Sequence, residues 1–200
     1  MRKIGEGLQY TVYRISEDTV RKVPKSREEM VETIKSWESR QESVESLVSK
    51  GLDRREKAVG RIVSSDIPER KLFGIKRVED PEVYQNLMTP VEDFEGKEFP
   101  EIVDDYINLL HELWRYGIGD TIYNFTVNNG YRDGKMFQMD FGEIVFDKAR
   151  VRSEVEEEKW LEKWSYSEDL TQSQKETFKK KMSEKVTASR LEKHWKRKLG

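Results

Sequence analysis

The 200-residue sequence contains no cysteine and only two histidines, His111 and His194. Disulfides, Cys-based zinc sites and thiol nucleophiles are therefore excluded, and so is a multi-His metal centre. Any metal ion must be a hard cation held by oxygen ligands. No uninterrupted apolar run approaches the roughly 20 residues of a membrane span. The opening Met1-Arg2-Lys3-Ile4-Gly5-Glu6 carries no apolar signal core. A cytoplasmic protein with no membrane partner is the expectation. Neither sign of charge dominates: 37 Lys and Arg face 39 Asp and Glu. That balance excludes a global nucleic-acid-binding charge, though not a local patch. The chain is polar, with 38% charged residues and a mean hydropathy of -0.88. It nevertheless holds five Trp, eight Tyr and eight Phe. Disordered chains are poor in aromatics, so the sequence folds. Its length suits one domain, or two small lobes sharing a core.

Three short strands are expected first, at Arg2 to Gly7, Tyr10 to Ile15 and Thr19 to Val23, rich in Thr, Val, Ile and Tyr. A helix from Ser26 to Lys50 follows. Ser26 and Glu29 make a capping box, and Met30, Ile34, Trp37, Gln41, Val44 and Val48 fall on one stripe. Gly51 reads as its stop. Two further strands are expected at Val59 to Val63 and Lys71 to Val78. The acidic, proline-containing stretch 79–99 reads as a connector. A second helix from Pro100 to Tyr116 has a broad apolar face. A hairpin of Ile122 to Val127 with Lys135 to Met139 follows, turning near Asp133-Gly134. The tail beyond Val151 is charged and helical. Ser189 and Glu192 would cap its last helix, and Trp160, Trp164 and Trp195 would pack it onto the long central helix.

Three motifs could carry chemistry. Gly5-Glu6-Gly7-Leu8-Gln9-Tyr10-Thr11-Val12 places glycines in a turn between strands, where a backbone can lie close over phosphates. Val20-Arg21-Lys22-Val23 places a lysine on the next strand. Asp140-Phe141-Gly142-Glu143 follows a strand, with Asp120 and Asn124 upstream. An Asp and an Asn at neighbouring strand ends can share one Mg²⁺. Each motif alone also occurs as an ordinary turn or an edge-strand lysine.

Taken in order, GEGLQYTV, TVRKV, the long helix, GDTIYNFTV and MDFGE resemble the protein-kinase-like superfamily, over roughly residues 1–147. The resemblance implies an α+β, two-lobed fold. Residues 1–78 would form a five-stranded N-lobe with one helix, residues 79–99 a connector, and residues 100–200 a reduced, mostly helical C-lobe. It implies ATP with Mg²⁺ or Mn²⁺ as cofactors, and an acceptor that is a protein, a small molecule or the chain itself. Gly5 and Gly7 would cover the phosphates, and Val12 would pack on the adenine. Lys22 would meet the α- and β-phosphates, with Lys25 as a rival beyond Pro24. Glu38 would pair with Lys22; Glu45 also flanks the stripe, whereas Glu42 is rotated further out. Backbone around Val78 to Pro81 would meet the adenine edge. Asn124 and Asp140 would hold the metal, and Asp120 would receive or orient the acceptor's hydroxyl proton.

The departures from the family pattern are specific. Tyr10 stands where the loop's third glycine would be. No His precedes Asp120, and Asn124 follows it by four residues instead of five. Either the loop is one residue shorter and Asp120 still meets the hydroxyl, or the base is lost and Asp120 caps a turn with Thr121. No Ala-Pro-Glu follows MDFGE, which leaves little chain for a peptide platform. In size and layout the chain is similar to minimal members such as the RIO group. A pseudokinase and an AMP-transferring enzyme stay open as alternatives. The basic tail around Lys179-Lys180-Lys181 and Lys193 interleaves with Glu176, Glu184 and Glu192, favouring a solvated helix over an RNA-binding surface.

Overall fold

A computed structural model describes residues 1–36, 42–64, 67–79, 81–142 and 144–196. The chain is α+β and divides into two compact units. One comprises Met1–Leu87 with the short piece Phe141–Glu143; the other comprises Met88–Asp140 and Ile144–Gly200.

The first unit is built on a five-stranded antiparallel sheet of order β1-β2-β3-β5-β4. Its strands are β1 (Arg2–Glu6), β2 (Tyr10–Arg14), β3 (Thr19–Pro24), β4 (Ile75–Glu79) and β5 (Glu82–Asn86). The first three lie where β-forming residues and polar turns predict them. Three helices separate β3 from β4: α1 (Arg27–Lys35), α2 (Val44–Ser64) and α3 (Ile67–Leu72). Helix α1 starts as expected, with the Ser26–Glu29 capping box formed in both directions. The single helix expected to run to Lys50 is not what forms. A helix ends at Lys35, and another begins at Val44 and continues to Ser64. Trp37 and Gln41, which belonged to the expected stripe, and Glu38, which flanks it, lie outside the described residues.

Gly51 does not stop a helix. A Cβ there would lie 2.7 Å from Met30 Cε and 3.2 Å from Leu8 Cδ2, so glycine permits close packing of α2. Met30, Ile34 and Val48 form the buried cluster at that contact, with Leu8, Val44, Leu47 and Leu52 packed around it. The strand expected at 59–63 is the last part of α2. The fifth strand instead comes from the stretch read as a connector. In β5, Val83, Tyr84 and Gln85 are all buried, and the Gln85 amide donates to the Phe73 carbonyl at 2.5 Å. A central strand can carry polar residues when each finds a partner. Val78 accordingly sits in β4, opposite Val83, at the approach to a hairpin. Residues 82–86 of the expected 79–99 connector are thus a strand of this sheet.

The second unit is organised on α4 (Phe99–Arg115), which has Pro100 in its first turn as expected. Ile102, Val103, Tyr106, Leu109, Leu110, Leu113 and Trp114 are buried along it. Before it lies β6 (Thr89–Pro90), and after it β7 (Gly119–Asp120) and a single helical turn α5 (Phe125–Asn128). Strands β8 (Asn129–Arg132) and β9 (Lys135–Gln138) form a hairpin whose turn, Asp133-Gly134, has φ of 50° and 73°. That turn was expected. Its first strand starts later than expected, because residues 125–128 are helical. Strand β10 (Ile144–Val145) pairs with β7. The tail forms α6 (Lys148–Glu156), α7 (Gln172–Lys185) and α8 (Ala188–His194). Trp160 is buried, but Trp164 is 61% exposed and so does not pack as expected. Thr187, not Ser189, caps α8. Lys181 and Lys185 both pair with Asp104. No described helix is long and apolar enough to cross a membrane.

His111 supplies a pH dependence. It is buried on α4, its Nε2 donates to the Lys185 carbonyl at 2.9 Å, and its ring stacks on His194 at 4.8 Å. Burial pushes its pKa down to about 4, against the carbonyl bond and with help from the charges of His194, Arg190 and Arg115. The unfolded histidine binds its proton near pH 6.5, so between 6.5 and 4 the unfolded chain holds the extra proton. This contribution is complete above pH 6.5 and is lost as the pH falls toward 4. Thermal melts over that window should show His111→Gln, which keeps a donor, losing less stability than the wild type. Parallel pH profiles would contradict the assignment.

Candidate functional site

Within the first unit, the β1–β2 turn and β3 gather one group of side chains. Gly7, Leu8 and Gln9 form the turn, closed by a bond from the Gly7 amide to the Tyr10 carbonyl at 2.9 Å. Gly5 lies beside a register shift in β1. A Cβ at Gly5 or Gly7 would meet nothing within 4 Å. Packing of the chain therefore does not demand glycine at either position. Val12 stands opposite Lys22 across the β2–β3 pair, and both residues share one face of the sheet.

Lys22 is buried in β3, with its Nζ 4.8 Å from the centre of the Phe141 ring. Phe141 is itself 1% exposed and meets Tyr10 and Phe73 edge-on, at 5.5 and 6.2 Å. Next to it, the Gln9 side-chain amide donates to the Gly142 carbonyl at 3.0 Å. The glycine turn, the strand lysine and the Phe141-Gly142 pair thus meet, although Phe141 lies about 120 residues beyond Lys22 along the chain. The rival Lys25 takes different partners. Its Nζ bonds Thr33 Oγ1 at 2.6 Å and lies 3.5 Å from Glu6. It lines a cleft of about 720 Å³ together with Lys3, Thr11, Tyr13 and α1 residues, and Lys22 does not line that cleft.

The proposed glutamate partner of Lys22, Glu38, is outside the described residues. The other flanking candidate, Glu45, pairs with Arg27, and Glu42, rotated further out, bonds Lys50 at 2.7 Å.

Within the second unit, Asp120 is 2% exposed at the end of β7. Its Oδ1 accepts from the Ile122 and Tyr123 amides at 2.9 and 3.2 Å, and its Oδ2 accepts from the Tyr106 hydroxyl at 3.1 Å. The carboxylate holds the loop that carries Tyr123 at φ 53°. Burial raises the Asp120 pKa, the three donors oppose that, and the nearby Asp140 charge adds to it. Asp120 therefore does cap the local turn. Replacing it with Ala orphans all three donors, at an expected cost of about 2–4 kcal/mol. Asp120→Asn keeps an acceptor for the two amides and should cost about 1 kcal/mol or less. Urea melts of the two variants check this, and equal losses would contradict the turn-holding role.

Asn124 precedes α5, and its Oδ1 accepts from the Ser165 amide at 3.3 Å. Ser165 is in turn bonded to Thr126 at 2.6 Å, and Thr126 donates to Asp169 at 2.5 Å. Asp140 is held through its main chain: its N–H donates to the Asn128 carbonyl at 3.2 Å, and its carbonyl accepts from the Gln138 amide at 2.8 Å. Gln138 is itself braced by the buried Asn129, at 2.9 Å. Sequence reasoning missed this bracing pair, and it missed Gln9, because polar residues at turns and hairpins carry no sign of burial. Among the described residues there is no group of three or more His, Cys, Asp or Glu that could hold a metal unaided.

No protein-family model matches the chain, and no curated protein matches it.

Proposed function

We propose that the protein is an ATP- and Mg²⁺-dependent phosphotransferase of minimal kinase-like type. It would move the γ-phosphate of ATP to a hydroxyl acceptor on a protein, a small molecule or itself. The observation that carries this reading is the meeting of the glycine turn, Lys22 and Phe141-Gly142. Phe141-Gly142, about 120 residues further along the chain, shares one neighbourhood with the glycine turn and Lys22, in the order of motifs that the kinase-like resemblance implies. The open space over Gly5 and Gly7 is in keeping with it, since it leaves room for a ligand to approach the backbone there.

In this reading the backbone at Gly5 and Gly7 covers the phosphates, Val12 packs on the base, and Lys22 neutralises the α- and β-phosphates. Asn124 and Asp140 fit a hard cation by their chemistry, one amide oxygen and one carboxylate. Mg²⁺ is commonly held by one or two such groups, with phosphate oxygens and water completing its shell. When bound, it would offset the charge that develops on the transferring phosphoryl group. Among the described residues, three helical spans lie between β3 and β4 where one helix was expected.

A second reading is a nucleotide-binding pseudokinase, and one observation favours it: both Asp120 oxygens are occupied by internal donors in a buried position. A thermal-shift titration with ATP, with and without Mg²⁺, tests the shared part of both readings. The wild type should be stabilised by Mg·ATP, and Lys22→Met should lose most of that shift. Absence of any shift in the wild type would remove both readings. For the AMP-transferring alternative, label from the α-phosphate would follow the acceptor.

A further inference from the structure

We infer that Gln9 is a latch: its side chain closes the β1–β2 turn onto Phe141-Gly142, and nucleotide binds fully only once that contact opens. The inference rests on the nucleotide-site reading above and concerns regulation of the same site.

Gln9 is at the tip of a turn, where polar side chains ordinarily face water. It is instead only 5% exposed. Its Nε2 donates to the Gly142 carbonyl, while its Oε1 is buried and has no hydrogen-bond partner. The fit against Gly142 is close enough to dictate the residue there. A Cβ on Gly142 would fall 1.8 Å from Gln9 Oε1 and 2.6 Å from its Cδ. Gly5, in β1, and Gly7, in the turn, face open space. The backbone is therefore open where phosphates would lie, while the Gln9 side chain is shut against Gly142.

Two features make this contact a latch and not part of the permanent core. First, the unpartnered Oε1 weakens the closed state, because a buried acceptor without a donor is costly. Second, the turn's backbone is held independently of the side chain. The Gln9 carbonyl accepts from the Lys25 amide at 2.9 Å and from Arg55 at 3.4 Å, and Arg55 also bonds the Lys25 carbonyl at 2.7 Å. The side chain can swing away by rotation about its own bonds while the turn keeps its shape. Phosphates entering between the turn and Gly142 must displace the amide. Apparent affinity is then reduced by the fraction of molecules that are open.

One net hydrogen bond corresponds to roughly a three- to tenfold bias. Gln9→Ala should therefore bind an imido-bridged, non-hydrolysable ATP analogue with Mg²⁺ about three- to tenfold more tightly than wild type by calorimetry. Gly142→Ala opens the latch from the other side, because its methyl group must expel the Gln9 amide. Nitrogen-15 NMR reads the latch without nucleotide. The Gln9 side-chain NH₂ signals, assigned by their loss in Gln9→Ala, should be protected from solvent exchange in the free protein and exposed at saturating analogue. A protected signal with unchanged or weaker binding by Gln9→Ala overturns the regulatory role and leaves the nucleotide site standing. An unprotected signal in the free protein overturns the latch itself. If no analogue binds to wild type or variant, the nucleotide-site reading falls and takes the regulatory role with it.

Discussion

Asp140→Ala is expected to lower Mg²⁺-dependent ATP turnover, autophosphorylation included, by at least about a hundredfold. The size of the effect follows from the role assigned to the carboxylate. Positioning and charge neutralisation supply most of the catalysis in phosphoryl transfer, so loss of a metal ligand removes a large part of it. The structure makes this an interpretable substitution. Asp140 is held by its main chain, through Asn128 and the Gln138 amide, and neither bond involves its side chain. Its side chain is half-buried in a loop after β9. These main-chain bonds remain available in the alanine variant, and an unfolding melt checks that it folds. A folded variant with turnover within tenfold of the wild type would remove Asp140 from the metal site.

Phe141→Ala is expected to have the opposite signature, a large loss of stability. The ring is 1% exposed and is enclosed by Tyr10, Phe73 and the Lys22 ammonium. Truncating a buried phenylalanine costs about 3–5 kcal/mol, made up of lost transfer energy and an incompletely collapsed cavity. The edge-on contacts and the cation over the ring face are lost as well. Phe141→Leu keeps most of the volume and should cost about 1.5 kcal/mol or less. Denaturant unfolding of both variants checks this. A loss below about 1 kcal/mol for the alanine variant would mean that Phe141 is not packed on the sheet.

These two neighbours show how much of the site was legible in sequence. Asp140-Phe141-Gly142 could be picked out as a motif, as could Lys22 and the glycine turn, because each sits within or at the end of a strand marked by β-forming residues. Their meeting was only an expectation from order. Gln9 was not legible. Nothing in a Gly-Leu-Gln-Tyr run says that the glutamine will be buried by a carbonyl more than 130 residues away.

The fold shows the same division. The α1 start, α4 and the Asp133-Gly134 turn follow from local chemistry: a capping box, a proline in the first turn and a Gly after an Asp. The errors arose where tertiary contacts override local signals. Gly51 looks like a helix stop, yet it is the residue that lets α2 approach Met30 and Leu8. Val59 to Val63 have the composition of a strand, but they continue the period set by Val44, Val48 and Leu52. Glu82 to Asn86 have few strand formers, yet they form a central strand because β3 and β4 flank them and Gln85 finds the Phe73 carbonyl. Asp120 reads equally as a base or a turn cap in sequence. Its three hydrogen bonds give it the second role, and the first now depends on whether the carboxylate also reaches an acceptor.

The central claim is transfer of the terminal phosphate of ATP. The most direct measurement incubates the purified chain with Mg²⁺ and ATP labelled at either the γ- or the α-phosphate, then follows label on protein and in released products. The account predicts that the γ-label is transferred, to the chain itself or to water in the absence of an acceptor. The α-label should remain in ADP, and Asp140→Ala should abolish the transfer. Retention of both labels in intact ATP would contradict phosphotransfer, and attachment of the α-label to protein would replace it with nucleotide transfer.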